Sequence, residues 1–114
     1  MARVLLVEDH PDALTLRKLI FQRHGHDVTA VSSVERAREE FREQAPEAVV
    51  MDLRLPDAED GLALIREFRA ASKQVKIVVV TGRLSDLEGR EEHALVDVAL
   101  AKPVRSEVLL RAIS

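Results

Sequence analysis

Short, uninterrupted apolar runs are the feature of this sequence that most restricts its fold. Residues 4–7, 48–51 and 77–80 are apolar at every position and are rich in valine, leucine and isoleucine. A strand with one solvated face alternates apolar and polar residues, whereas a strand buried on both faces is a continuous apolar run. The sequence therefore predicts strands at the centre of a sheet that is covered on both sides.

Segments with helical periodicity separate these runs. We predict strands over residues 3–7, 27–31, 48–51, 76–80 and 96–101. Strands that alternate with helices favour an α/β fold with a parallel, doubly wound sheet, because each crossover must be right-handed. In such sheets ligands bind in a crevice beyond the carboxyl ends of the strands, where the strand order reverses. We therefore expect function to reside at that edge.

The predicted helices differ in strength. The first, around residues 14–21, is apolar on several sides and is expected to be long and well buried. Ser32 and Glu35 form a capping-box pattern that would open the second helix, and Ser106 is the predicted N-cap of a short fifth helix. The fourth, over residues 85–94, contains Gly89, which costs about 1 kcal/mol relative to alanine. We expect it to be the least stable element and the easiest to move.

Composition excludes several classes of function. The chain has no cysteine, so disulfides and thiolate metal sites are excluded. A net charge of −3 gives no electrostatic reason to bind nucleic acid or an anionic membrane. No apolar run approaches the roughly 20 residues that span a bilayer. We expect one cytoplasmic domain over residues 1–114, either a complete regulator or part of a longer protein.

Polar side chains follow four of the apolar runs directly. Glu8 and Asp9 follow the first strand, Asp52 the third, Thr81 the fourth and Lys102 the fifth. Converging carboxylates repel one another, and a hard divalent cation such as Mg²⁺ would compensate that repulsion. An aspartate can act as a nucleophile and form an aspartyl phosphate, and a metal, a lysine and a hydroxyl would stabilise the transition state by charge.

These residues occur within motifs that resemble those of a known family. The sequence is similar to the receiver domains of two-component response regulators over essentially its whole length. The motifs are Val7-Glu8-Asp9-His10, Val50-Met51-Asp52-Leu53-Arg54-Leu55-Pro56, Val80-Thr81-Gly82 and Ala101-Lys102-Pro103. The resemblance implies a flavodoxin-like (βα)5 fold with strand order 2-1-3-4-5.

The resemblance also implies a role for each site residue. Asp52 would accept a phosphoryl group from the phosphohistidine of a histidine kinase or a histidine phosphotransfer protein. Glu8, Asp9, Asp52 and the backbone carbonyl of Arg54 would bind Mg²⁺. Thr81 and Lys102 would be the conserved switch hydroxyl and lysine, and the Lys102–Pro103 bond would be cis.

The sequence departs from the family pattern around the site. The aromatic residue that usually lies three positions before the lysine is Ala99 here, so the usual threonine–aromatic coupling cannot operate. The loop over residues 56–61 is one residue longer than the common form, and the segment between Thr81 and Lys102 is slightly short. A switch would have to act through backbone movement or the fourth helix.

Two alternatives to a phosphorylatable receiver stay open at this point. A pseudo-receiver would use the same fold as an interaction module that is independent of phosphorylation, which Ala99 and the short late segment favour. A phosphohydrolase with an aspartate nucleophile would need a second aspartate two positions later as general acid, and that position is Arg54. The receiver hypothesis predicts no turnover of external substrates. It implies a downstream effector or a fused output domain, and it is compatible with a homodimer contact through the fourth helix, fifth strand and fifth helix.

Overall fold

The computed structural model describes residues 2–114 and contains a five-stranded parallel sheet. The strands are β1 (Arg3–Val7), β2 (Asp27–Val31), β3 (Ala48–Asp52), β4 (Lys76–Thr81) and β5 (Val98–Ala101). Their order is β2-β1-β3-β4-β5, which confirms the predicted flavodoxin-like topology. The crevice at the strand-order switch therefore lies between β1 and β3, where the acidic residues were predicted.

Four α-helices cover the two faces of the sheet. They are α1 (Pro11–Arg23), α2 (Val34–Gln44), α3 (Ala58–Ala71) and α4 (Ser106–Ala112). One apolar cluster joins alternate strand residues to α2 and α3, and includes Ile65 and Phe68. The other joins the opposite strand face to α1 and α4, and includes Phe21 and Leu109. The central strands are thus buried on both sides, as their apolar runs predicted.

Several local predictions were wrong. The first helix was predicted to be well buried, but Leu16 and Leu19 of α1 are 59% and 53% exposed. The N-cap of α2 is Ser33, whose Oγ accepts from the Arg36 N–H, and Ser32 precedes it. The N-cap of the last helix is Arg105, with Ser106 as its first residue. Strand β5 begins at Val98 rather than at residue 96.

The predicted fourth helix is absent from the described chain. Two short 3-10 helices, Leu84–Asp86 and Glu91–Leu95, occupy that segment. Gly89 lies between them with φ of +77°, in the left-handed region that favours glycine and ends a helix. The glycine that weakened the predicted helix therefore interrupts it completely.

Ion pairs attach this segment, residues 82–97, to α3. Glu92 is 5% exposed and pairs with Arg66, and Arg90 pairs with Glu59 at 3.1 Å. Arg69 of α3 donates to the Leu95 carbonyl and to the Asp97 carboxylate at 2.9 Å. Charge pairs thus hold in place the segment that was predicted to be a weak helix.

Candidate functional site

The sheet register brings Glu8 and Asp52 to the same level. Val7 of β1 pairs with Met51 of β3, and Glu8 and Asp52 are the next residues on these adjacent strands. Carboxylate oxygens of Glu8, Asp9 and Asp52 lie within 4.8 Å of one another. The switch in strand order therefore assembles three acids that are distant in the sequence.

Lys102 enters this cluster from the β5 side. Its backbone N–H donates to the Thr81 carbonyl at 2.9 Å, which fixes the start of the loop after β5. Its Nζ lies 2.8 Å from Asp52 Oδ2 and 3.2 Å from Glu8 Oε1. Burial would lower the pKa of Lys102, but its bonds to Asp52 and Glu8 outweigh burial and raise the pKa. The side chain is therefore an ammonium ion at the centre of the site.

Hydrogen bonds hold the two buried carboxylates. Asp52 is 7% exposed, and its Oδ1 accepts from the backbone N–H groups of Leu53 at 2.6 Å and Arg54 at 3.3 Å. Glu8 is 1% exposed, and its Oε2 accepts from the His10 N–H at 3.2 Å. Buried charges require such partners. The site thus presents fixed oxygens, with Asp52 partly open to solvent.

Thr81 ends β4 beside the cluster and is fully buried. Its neighbour Val80 pairs with Asp52, and Thr81 itself pairs with Ala101, the residue before Lys102. Its Oγ1 accepts from the Arg83 N–H at 3.2 Å. The structure therefore brings Thr81 to the predicted edge, but the hydroxyl bonds to its own loop.

The donor set fits a hard divalent cation. Three carboxylates face two cations, because Arg17 of α1 lies 3.7 Å from Glu8 Oε1 in addition to Lys102. The remaining negative charge and the oxygen ligands suit Mg²⁺, which binds one or two carboxylates and retains waters.

Sequence reasoning missed Arg17. It precedes the buried Phe21 by four residues, and this helical spacing places both on the same face of α1.

Two other positions complete the surroundings of the site. The guanidinium of Arg54 donates from Nε to Asp86 Oδ2 at 2.9 Å, a contact that sequence reasoning did not predict. Ala99 is half-buried on β5 and packs against the cluster under α2 and α3. The Lys102–Pro103 bond is cis, and so is the Leu55–Pro56 bond.

Known proteins are similar to this chain in sequence. The chain matches the response regulator receiver domain family over residues 4–114. It is 39% identical over 83 residues to the virulence transcriptional regulatory protein PhoP of Salmonella typhimurium, a match that covers 73% of this chain and 37% of PhoP. It is 35% identical over 112 residues to the transcriptional regulatory protein AfsQ1 of Streptomyces coelicolor, covering 96% of this chain and 48% of AfsQ1. The chain thus spans less than half the length of these curated relatives.

Solved structures give the same result. A CheY-like receiver domain from Methylobacillus flagellatus is 34% identical with a TM-score of 0.84, and the match covers 100% of this chain and 99% of that one. The response regulator TrrA of Thermotoga maritima, solved in complex with Mg²⁺–BeF, is 25% identical with a TM-score of 0.86, covering 99% and 96%. Both comparisons confirm the family predicted from the strand-end motifs, and this chain belongs to the response regulator receiver domains.

Proposed function

We propose that Asp52 accepts a phosphoryl group from the phosphohistidine of a sensor histidine kinase or a histidine phosphotransfer protein, in a reaction that depends on Mg²⁺. The observation that carries this proposal is the contact of Lys102 Nζ with both Asp52 and Glu8 at the edge where Asp9 also lies. A reactive carboxylate, a cation and oxygen ligands for a metal are thereby combined at one point.

In the transfer, a carboxylate oxygen of Asp52 forms the new P–O bond as the P–N bond to the donor histidine breaks. The departing imidazole keeps the electron pair of that bond. The Leu53 and Arg54 N–H groups orient Asp52, and the Lys102 ammonium offsets negative charge on the phosphoryl oxygens. Positioning and charge therefore supply most of the catalysis, as in other phosphoryl transfers.

The metal ligands would be the carboxylates of Glu8, Asp9 and Asp52 and the backbone carbonyl of Arg54. When bound, Mg²⁺ neutralises charge that develops on the phosphoryl oxygens. Glu8 also bonds to Lys102, so metal binding and the position of the lysine are coupled through this carboxylate.

Phosphorylation would act on the segment after β4 and on the surface formed with β5 and α4. The Thr81 hydroxyl would exchange its contact with Arg83 for a phosphoryl oxygen, and Ala99 would leave this movement without an aromatic relay.

We further propose that the domain acts in the cytoplasm without turning over external substrates. It would signal to an effector or a fused output domain, with no nucleic-acid contact of its own. The same surface would mediate any homodimer. No helix within residues 2–114 is long and apolar enough to cross a membrane.

Labelling with acetyl phosphate tests this proposal. We expect Mg²⁺-dependent incorporation of phosphate, which Asp52→Asn abolishes and EDTA prevents. Asp27→Asn is the matched control, because Asp27 is an exposed aspartate at the start of β2, at the opposite edge of the sheet. Equal labelling of Asp52→Asn and the wild-type protein would show that the assignment of Asp52 is wrong.

A pseudo-receiver is the second candidate function. The attachment of the 82–97 segment to α3 through Arg66 and Arg69 favours it, because these contacts hold the segment in place. A pseudo-receiver would bind partners equally with and without Mg²⁺ and acetyl phosphate. Labelling that is confined to Asp52 would exclude this candidate.

A further inference from the structure

Arg54 connects the loop after β3 to the segment after β4. Its backbone N–H lies 3.3 Å from Asp52 Oδ1, and its side-chain Nε lies 2.9 Å from Asp86 Oδ2. Asp86 ends the first 3-10 helix, Leu84–Asp86, which follows β4 closely. One residue therefore bonds to the acceptor carboxylate through its backbone and to the adjoining loop through its side chain.

The two partners of this ion pair differ in their freedom to move. The Asp86 side chain is 14% exposed, and that of Arg54 is 47% exposed. The Asp86 N–H donates to the Arg83 carbonyl at 3.1 Å, and the adjacent Leu87 is 1% exposed. Asp86 is thus fixed by its turn, whereas the long side chain of Arg54 can exchange one anionic partner for another.

A phosphoryl group on Asp52 would be a competing partner. It carries about −1.5 to −2 charges and three strong acceptor oxygens, and arginine binds such groups in a bidentate manner. The existing oxygens of Asp52 already contact Lys102 and the Leu53 N–H. The added oxygens therefore need further donors, and Arg54 is two residues away.

We propose that Asp86 is a positioning residue that holds the Arg54 guanidinium away from Asp52, and that a phosphoryl group on Asp52 takes Arg54 from it. This inference rests on the proposed phosphorylation of Asp52. The exchange detaches the Leu84–Asp86 turn from the loop after β3. It thereby couples Asp52 to the segment after β4 without an aromatic residue at position 99.

The other ion pairs of the segment do not offer this coupling. Arg66 and Arg69 belong to later turns of α3, and they bind Glu92 and Asp97 in the second half of the segment. Of the pairs described for this segment, Arg54–Asp86 is the one in which a partner also bonds to Asp52. Release of this pair alone would free the first 3-10 helix while the second stays attached to α3.

Beryllofluoride with Mg²⁺ is the phosphoryl probe that tests the proposal. Asp86→Asn should bind beryllofluoride about two- to fivefold more tightly than wild type. Asp86 no longer competes for Arg54 in this variant, and a partly exposed ion pair is worth only a small free energy. Asp86→Asn also removes a negative charge, so the same substitution is made in an Arg54→Ala background, where we expect the gain to disappear. Glu67→Gln, which breaks the Arg38–Glu67 pair between α2 and α3, should bind like wild type.

The Arg54 Nε–H resonance gives a second readout that needs no Asp86 variant. In wild-type protein, saturation with beryllofluoride should shift this resonance away from its Asp86-bound position. The proposal is overturned if the Arg54 resonance stays in place while the Thr81 amide moves, or if Asp86→Asn gains the same affinity with and without Arg54. Failure of the proposed function looks different. In that case wild-type protein binds no beryllofluoride and every resonance stays in place, and this inference fails with it.

Discussion

Replacing Gly61 with alanine should strain the contact between α3 and Leu53, in the loop that follows β3. A Cβ at position 61 would lie 2.0 Å from the Leu53 carbonyl oxygen and 2.6 Å from its carbon. Reaching even 3.0 Å from that oxygen requires a movement of 1.0 Å. Both neighbours of the contact, Leu53 and Leu62, are fully buried. Backbone atoms on both sides must therefore move within a packed core.

The expected cost follows from two opposing effects. Overpacking of a core costs about 1–3 kcal/mol or more, and a clash between backbone atoms belongs at the upper end. Alanine is better than glycine within a helix by about 1 kcal/mol. The free energy of unfolding should therefore fall by about 2 kcal/mol, which lowers the melting temperature by roughly 8 °C for a domain of this size. The movement of Leu53 should also disturb its N–H contact with Asp52 Oδ1, now 2.6 Å.

Urea unfolding followed by far-UV circular dichroism measures this loss, since the chain has no tryptophan or tyrosine. Gly82→Ala is the matched control, because a Cβ at Gly82 meets no atom within 4 Å. We expect the control to remain within about 0.5 kcal/mol of wild type. Equal stability of the Gly61 and Gly82 variants would refute the close approach of α3 to Leu53.

Two further predictions concern charged groups. Lys102→Met should lower the free energy of unfolding by about 1.5–3 kcal/mol without Mg²⁺, because Glu8 and Asp52 lose a charged hydrogen-bond donor. Added Mg²⁺ should then raise the melting temperature of this variant more than that of wild type, and an equal rise would contradict the metal site. The pKa of Glu92 lies below its ordinary 4.5, chiefly because a backbone hydrogen bond stabilises the carboxylate. Burial acts in the opposite direction, and pairing with Arg66 lowers the pKa further. Its stabilising contribution is therefore present above pH 4.5 and is lost as the pH falls through the folded-state pKa. The stability difference between wild type and Glu92→Gln in urea should thus narrow in acid, and a constant difference would contradict this account.

The centre of the sheet was predictable because β1, β3 and β4 are buried on both faces. Continuous apolar runs locate such strands directly, and β1 has the bounds predicted from the sequence. The meeting of Glu8, Asp9 and Asp52 followed in turn, because a residue that ends a parallel strand must lie at one edge of the sheet. Strand order and register fix these positions without reference to side-chain packing.

The segment after β4 was not predictable in the same way. Local patterns favoured a helix around Leu87, but Gly89 adopts a left-handed conformation and divides the segment. The N-cap of α2 shifted from Ser32 to Ser33 because two adjacent serines offer the same capping group and only the path of the chain selects one. The Arg54–Asp86 contact joins two loops, and no periodicity in the sequence brings these residues together.

The way in which the 82–97 segment is attached bears directly on the missing aromatic residue. Leu87 and Glu92 are its two buried side chains between Gly82 and Asp97, and acids of the segment pair with arginines of α3 and of the loop after β3. An aromatic relay needs an aromatic side chain at position 99, whereas an ion pair responds to a new charge beside it. A phosphoryl group brings about −1.5 to −2 charges and three strong acceptor oxygens. Through the Arg54–Asp86 pair, the Leu84–Asp86 turn can therefore respond to Asp52 with alanine at position 99.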